Sequence, residues 1–193
     1  MARSREFDVE KALDAAMHVF WKKGYEATSL SDLTAEMGIQ RPSIYSAFGD
    51  KKELFEAALR KYTRFHASRA RAALQKHPSV KDAFRSFFES LTAEDYDQNP
   101  ARGCFCINTM VELAPHDEKF EVLTREHQMY LSAIFQETLE RGIQTGELKT
   151  VKNAKALAQT LVVSVIGLTV MMKSRPDRSF INHAVEVTLS LIK

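Results

Sequence analysis

From Gly24 to Leu54 the chain reads GYEATSLSDLTAEMGIQRPSIYSAFGDKKEL, which spells two short helices, a tight turn and the capped start of a third helix. Ser29 precedes Asp32 by three residues and Asp50 precedes Glu53 by three, so each pair can satisfy the free N–H groups that open a helix. Gly38 follows Met37 where a left-handed residue would end the second helix, and Pro42 is preset for the first turn of the next. The turn therefore spans Gly38 to Arg41. Leu30, Leu33, Ile39, Ile44 and Phe48 are the apolar residues left to pack these helices, and helices this short cannot hold their shape alone in water. The pattern predicts a helix-turn-helix.

A platform for it lies upstream, where Val9, Leu13, Ala16 and Phe20 recur at helical spacing behind an N-capping Asp8, and the run stops at Gly24. On the third helix the outward face carries Arg41, Ser43, Tyr45 and Ser46, with Lys51 at the next helix start. That mixture suits the major groove of DNA. Arginine forks to a guanine edge or a phosphate, small serines allow close approach, and a tyrosine hydroxyl reaches phosphate oxygens.

With those residues in place, Asp8 to Leu54 resembles the N-terminal domain of the TetR/AcrR family of one-component transcriptional regulators. The resemblance covers about a quarter of the chain and is carried by Gly24-Tyr25, Thr28-Ser29, Leu33, Gly38, Pro42-Ser43-Ile44-Tyr45, Phe48, Lys51 and Leu54. It implies that Thr28 and Ser29 touch phosphate at the start of the second helix. It also implies that Arg41, Pro42, Ser43, Tyr45 and Ser46 enter the groove while Lys51 clamps the backbone. Many members carry a histidine or another large polar residue where this chain has Ser46-Ala47, which implies fewer base contacts from that end.

The 193 residues are 45% hydrophobic, enough for one or two small domains with real cores. The net charge is only +2, but up to Lys76 there are 14 Lys and Arg against 10 Asp and Glu, so the basic excess is N-terminal. An excess this small does not drive tight nonspecific binding, and affinity must rest on placed contacts and on doubling through a dimer. The first residues lack the apolar stretch of a signal peptide, so a cytoplasmic protein is expected. Arg3 and Arg5 either form an arm reaching the minor groove or belong to a simple terminal tail. Ala156 to Met172 is free of charge, yet it holds Gln159, Thr160, Ser164 and Thr169 and falls short of the roughly 20 apolar residues of a membrane span. A buried helix is expected there, and no membrane association.

The rest of the chain reads as helix throughout. Asp50 to about Gln75 carries Leu54, Ala58, Tyr62 and Phe65 on one stripe, and a further helix holds Phe84, Phe87, Phe88 and Leu91. Asn99-Pro100 to Ala114-Pro115, Asp117 to about Arg141, Val151 to Lys173 and Asp177 to Ile192 frame four more. The predicted fold is all-α, with a DNA-binding domain at 1–50 and an effector-binding and dimerisation domain of roughly six helices at 51–193, the two sharing the helix that starts at Asp50.

The last two helices are apolar around much of their circumference, with Leu161, Val162, Val165, Ile166, Leu168 and Val170 in one and Ile181, Val185, Leu189 and Ile192 in the other. Helices of this kind must be buried, in a homodimeric four-helix bundle or inside one protomer; the dimer is preferred, because a 21.9 kDa chain offers little interior. A small molecule that tilts the central helices would move the two reading heads apart, and the expected function is a repressor released by such an effector. Phe84, Phe87, Phe88, Met110, Leu113, Phe120, Met129, Tyr130 and Ile134 can line a pocket, but apolar residues at this spacing are more often plain core, and no effector-binding residue is assigned. His127 either hydrogen-bonds an effector or sits satisfied in the core.

Arg102-Gly103-Cys104-Phe105-Cys106 contains both cysteines. On a helix, side chains two apart diverge by about 200°, so the pair suits neither a shared metal nor an internal disulfide. Cys104, at a helix N-terminus beside Arg102, is either a thiol sensor of oxidants or electrophiles or an inert buried thiol. No metal or cofactor is expected. Two other classes compete with the regulator. An enzyme would need a signature such as Gly-x-Ser-x-Gly or His-Glu-x-x-His, and the chain has neither. A helical adaptor would not need Arg41, Tyr45 and Lys51 on one face.

Overall fold

The computed structural model describes residues 7–97 and 102–193, so Arg3, Arg5 and Asn99-Pro100 lie outside the described residues. Among the described residues the chain forms nine α-helices and no strand: α1 (Val9–Lys23), α2 (Leu30–Met37), α3 (Arg41–Phe48), α4 (Lys51–Gln75), α5 (Val80–Asp97), α6 (Phe105–Glu112), α7 (Glu118–Gln144), α8 (Ala154–Met172) and α9 (Arg178–Leu189).

The local signals fix the first four. The Asp8 carboxylate accepts from the backbone N–H groups of Glu10 and Lys11 at the start of α1. Ser29 with Asp32, and Asp50 with Glu53, close reciprocal capping boxes at the starts of α2 and α4. Gly38 ends α2 with φ at +66°, a conformation that strains any residue with a Cβ, and Pro42 sits in the first turn of α3.

Two hydrophobic cores follow. The first packs Ala16 and Phe20 of α1, Leu33 of α2 and Ile44 of α3 onto Leu54, Phe55, Ala58 and Tyr62 of α4, and then runs on into Phe105 of α6 and Phe120 of α7. Phe55 is its hub, with edge-to-face contacts to Phe20, Tyr25, Phe105 and Phe120 at centroid distances of 4.8 to 5.4 Å. The head is thus mounted on α4, α6 and α7 by aromatic packing rather than by a tether. The second core gathers α5, α7, α8 and α9 around Phe84, Phe88, Phe135, Leu139, Leu161 and Ile181.

Three of the four residues expected on the α4 stripe are covered. Leu54, Ala58 and Tyr62 are buried, but Phe65 is 60% exposed, and Phe55 on a second stripe is fully buried. The reason is that α4 packs against several helices, α1, α5, α6 and α7, so that more than one stripe is covered. In α8 and α9, the residues Leu161, Val162, Val165, Leu168, Ile181, Val185 and Leu189 are buried, as is Ile192 just beyond α9. The outer faces carry Val163, Val170 and Met171 of α8 and Phe180 and Val187 of α9, with Leu191 just beyond α9, all exposed. By length and composition α8 could cross a membrane, but its inner face is packed between α5, α7 and α9.

Candidate nucleic-acid interface and internal cavity

Burial of Ile44 fixes the roll of α3, so that Arg41, Pro42, Tyr45 and Ser46 are exposed and Ser43 is half-buried. Arg41 donates from Nη2 to Ser31 Oγ at 2.9 Å, which holds the guanidinium at the junction of α2 and α3. Tyr45 is 49% exposed, its ring projecting from the same face. Lys51 lies with its ammonium 4.3 Å from the centroid of the Tyr25 ring, next to the face rather than on it. Ser29 is exposed, but its hydroxyl is engaged in the α2 capping box. Thr28 is placed differently: it is 1% exposed, and its hydroxyl donates to the Gly24 carbonyl at 2.6 Å. Its side chain organises the approach to α2 from inside the head. Asp32, the one acid in the first turn of α2, is neutralised by Lys23 at 2.6 Å, and that hydrogen bond, with those from Ser29, holds its carboxyl well below the usual carboxylate range.

The head is also gripped from the segment around α6. Glu112, at the C-terminal end of α6, accepts from the backbone N–H groups of Tyr25 and Glu26 at 3.0 and 2.9 Å. Trp21 Nε1 donates to the Gly103 carbonyl at 2.8 Å, and the Arg102 guanidinium stacks 3.5 Å from the indole centroid. Asp117 and Lys119 bond Lys52 and Glu56 of α4 at 2.5 and 2.7 Å. Through these bonds Lys52 holds the Asp117 carboxyl, and Lys119 the Glu56 carboxyl, below the ordinary range.

Behind α6 lies a cavity of about 140 Å³ bounded by α1, α4, α5, α6, α7 and α8, with Trp21, Tyr62, His127, Leu131, Phe135 and Val165 among its walls. Cys104, Cys106 and His66 also reach it. Cys104 caps α6 and its Sγ accepts from the Tyr62 hydroxyl at 3.3 Å. Burial pushes the Cys106 thiol far above its ordinary value. Both cysteines are buried and neither is in a disulfide. His127 is 7% exposed with no partner for Nε2. Burial first, and then His66 beside it, lower its pKa to about 4. Of the aromatic and apolar residues considered from sequence, Met129 and Tyr130 are exposed and Phe84, Phe88, Phe120 and Ile134 are core, so the walls come mostly from residues the pattern did not single out. Tyr62 was readable only as a helix-stripe residue, and Trp21 was on no stripe that the spacing picks out. No local signal marks them as facing a cavity.

Residues 12–58 match the model for the bacterial regulatory proteins of the tetR family, and residues 80–188 match that for the tetracyclin repressor-like C-terminal domain. The chain is 33% identical, over the full length of both proteins, to YezE of Bacillus subtilis strain 168, an HTH-type transcriptional regulator. It is 30% identical to the HTH-type transcriptional repressor ComR of Escherichia coli K12, over 98% of this chain and 90% of ComR. Among solved structures, a cysteine mutant of the TetR family transcriptional regulator CifR, complexed with 26-bp double-strand operator DNA, superposes with a TM-score of 0.87 at 31% identity over 100% of both chains.

Proposed function

The chain belongs to the TetR family of bacterial regulatory proteins and is a DNA-binding transcriptional regulator; from that premise we propose that it is a homodimeric repressor, acting in the cytoplasm, that grips operator DNA through α3 and is released when a small molecule enters the cavity behind α6. One observation carries the DNA-binding half: burial of Ile44 turns Arg41, Tyr45 and Ser46 outward together. On this reading residues 1–50 are the reading head, residues 51–193 hold effector and partner, and Arg41, Pro42, Ser43, Tyr45 and Ser46 enter the groove. Ser29 and Lys51 take phosphates at its edges. Thr28 acts by fixing the backbone of the α2 start for that contact.

The partner is a second copy. Val163 and Val170 are seven residues apart on α8, and Phe180, Val187 and Leu191 follow at seven and four from the start of α9. Two such open apolar stripes side by side complete a four-helix bundle when they meet their own copies about a twofold axis. The dimer then presents two heads to half-sites about 34 to 36 Å apart in the simplest arrangement. Cys104, at the cavity wall, supports a second reading in which the effector is a thiol-reactive oxidant or electrophile.

The test is operator binding against the promoter region beside its own gene, over a range of salt. Arg41→Ala is expected to lose about 1 to 3 kcal/mol and to relax the sequence preference, whereas Lys51→Ala weakens all sequences alike and lowers the salt slope by about 1. Equal effects of the two variants on every sequence would reduce Arg41 to a phosphate contact.

A further inference from the structure

We propose that the cavity behind α6 is a binding site for a small uncharged ring compound of the phenol class, whose hydroxyl pairs with Nε2 of His127. The inference rests on the effector-released reading above and gives that effector its chemistry. Size comes first. A cavity of about 140 Å³ is close to the apolar cavity of roughly 150 Å³ that takes up benzene in an engineered protein. The walls agree, since Leu131, Phe135, Val162 and Val165 present only hydrocarbon to the space.

Polarity then narrows the class. Four other polar groups of the wall are already engaged: Trp21 Nε1 donates to the Gly103 carbonyl, the Tyr62 hydroxyl to Cys104, Gln128 to Met110 and Thr169 to the Val165 carbonyl. His127 is more than nine-tenths buried, faces the cavity, and its Nε2 has no partner. Buried polar atoms are nearly always hydrogen-bonded, so an open one at a cavity wall marks the place of a ligand atom. The imidazole is neutral at physiological pH, its pKa lowered to about 4 by burial and by His66 beside it. A neutral imidazole nitrogen is an acceptor in one tautomer and a donor in the other, and a hydroxyl pairs with either. Among the described residues no Asp or Glu lines the cavity, so a cation finds no counter-charge from them. The cation of the lining, Arg69, is exposed, with its guanidinium 5.8 Å from the centroid of the Phe65 ring, so a carboxylate at His127 meets an uncharged imidazole and must leave water to reach it.

The experiment uses the full-length protein and three probes at pH 7.5: phenol, benzene and benzoate, followed by calorimetric titration. Phenol is expected to bind at least tenfold tighter than either of the others. In His127→Leu the preference for phenol over benzene should fall to within twofold while benzene binding persists. Equal affinities of the wild type for phenol and benzene would overturn the proposal, as would a phenol preference that survives His127→Leu. Should that variant not fold, ¹⁵N imidazole spectra of the wild type serve instead: phenol, and not benzene, must shift the His127 Nε2 resonance, and an unmoved resonance overturns the proposal. Operator binding is read separately. Phenol that binds through His127 yet leaves operator affinity unchanged upholds the ligand class and refutes release by that ligand.

Discussion

Removing the Glu112 carboxylate is expected to loosen the reading head without touching a DNA contact. Glu112 accepts from two consecutive backbone N–H groups, of Tyr25 and Glu26, across more than eighty residues of sequence. Hydrogen bonds to a charged group are worth about 1.5 to 3 kcal/mol each when dry. Glu112 is only half-buried and Glu26 is exposed, so water replaces part of what is lost, and about 1 to 2 kcal/mol for the pair is the reasonable total. For a chain of this length that corresponds to a drop in Tm of about 2 to 8 °C in Glu112→Ala. If half of the same free energy must be restored when each head docks, a dimer loses about 1 to 2 kcal/mol in operator binding, or roughly five- to thirtyfold. Glu112→Gln keeps one carbonyl acceptor and should fall between. Gly24 gives a cross-check: its φ is +84°, and a Cβ there would come within 2.8 Å of the Glu112 carboxylate. Gly24→Ala should therefore do part of its damage through Glu112, so that the double variant Gly24→Ala/Glu112→Ala loses less than the sum of the two. Thermal melts and fluorescence anisotropy with labelled operator measure both quantities. A Glu112→Ala protein with Tm within 1 °C and operator affinity within twofold of wild type would refute the reasoning.

Three further outcomes are expected. His127 has a folded-state pKa of about 4, below the ordinary 6.5, so between those values the unfolded chain takes up a proton that the folded one refuses; stability falls as pH drops from 6.5, by about 2 kcal/mol at pH 5. Denaturant unfolding of His127→Leu should show that slope flattened, with the loss below about pH 4.5, where carboxylates held low such as Asp117, Glu56 and Glu147 take up protons, left in place. Phe180→Asp, on the open face of α9, should give a folded monomer by sedimentation with weak operator binding, whereas Ile181→Asp, fully buried one position later, should not fold. Thiol labelling at neutral pH should modify Cys104 before Cys106, whose thiolate is suppressed by burial, and a mass map showing the reverse order would remove Cys104 as a sensor.

What could be read from sequence was local. Caps, the Gly38 turn and Pro42 depend on neighbours within four residues, and the structure has each of them where the spacing placed it. The partition of apolar residues was not local. α8 is apolar on every side, so Val162 and Val163 look equivalent in sequence, yet one is buried and the other exposed, because α5, α7 and α9 decide which side is covered. The cavity was out of reach for the same reason: six helices supply between one and four wall residues each, and no one stretch has a pattern that marks it. Thr28 shows the limit at short range. Its bond to the Gly24 carbonyl is only four residues away, but it forms across a turn whose path is set by Glu112, and nothing near Thr28 announces that partner.

The two kinds of contact between head and body differ in what they permit. The ring cluster around Phe55 is dry and close-packed, and such packing does not deform by degrees. It keeps the head attached in every state. The polar grips of Glu112 and Gly103 on the head sit partly in water, so each costs little when broken. Allosteric coupling in proteins is typically about 1 to 3 kcal/mol, the scale of one or two of these grips and far below that of the aromatic cluster. A ligand of seven or so heavy atoms commands at most several kcal/mol of binding free energy. It can therefore release a grip by shifting α6, whose residues wall the cavity at one end and hold Tyr25 and Glu26 at the other. It cannot unseat the head, and in the proposed effector-released dimer the switch is a change in the angle at which the two heads meet DNA.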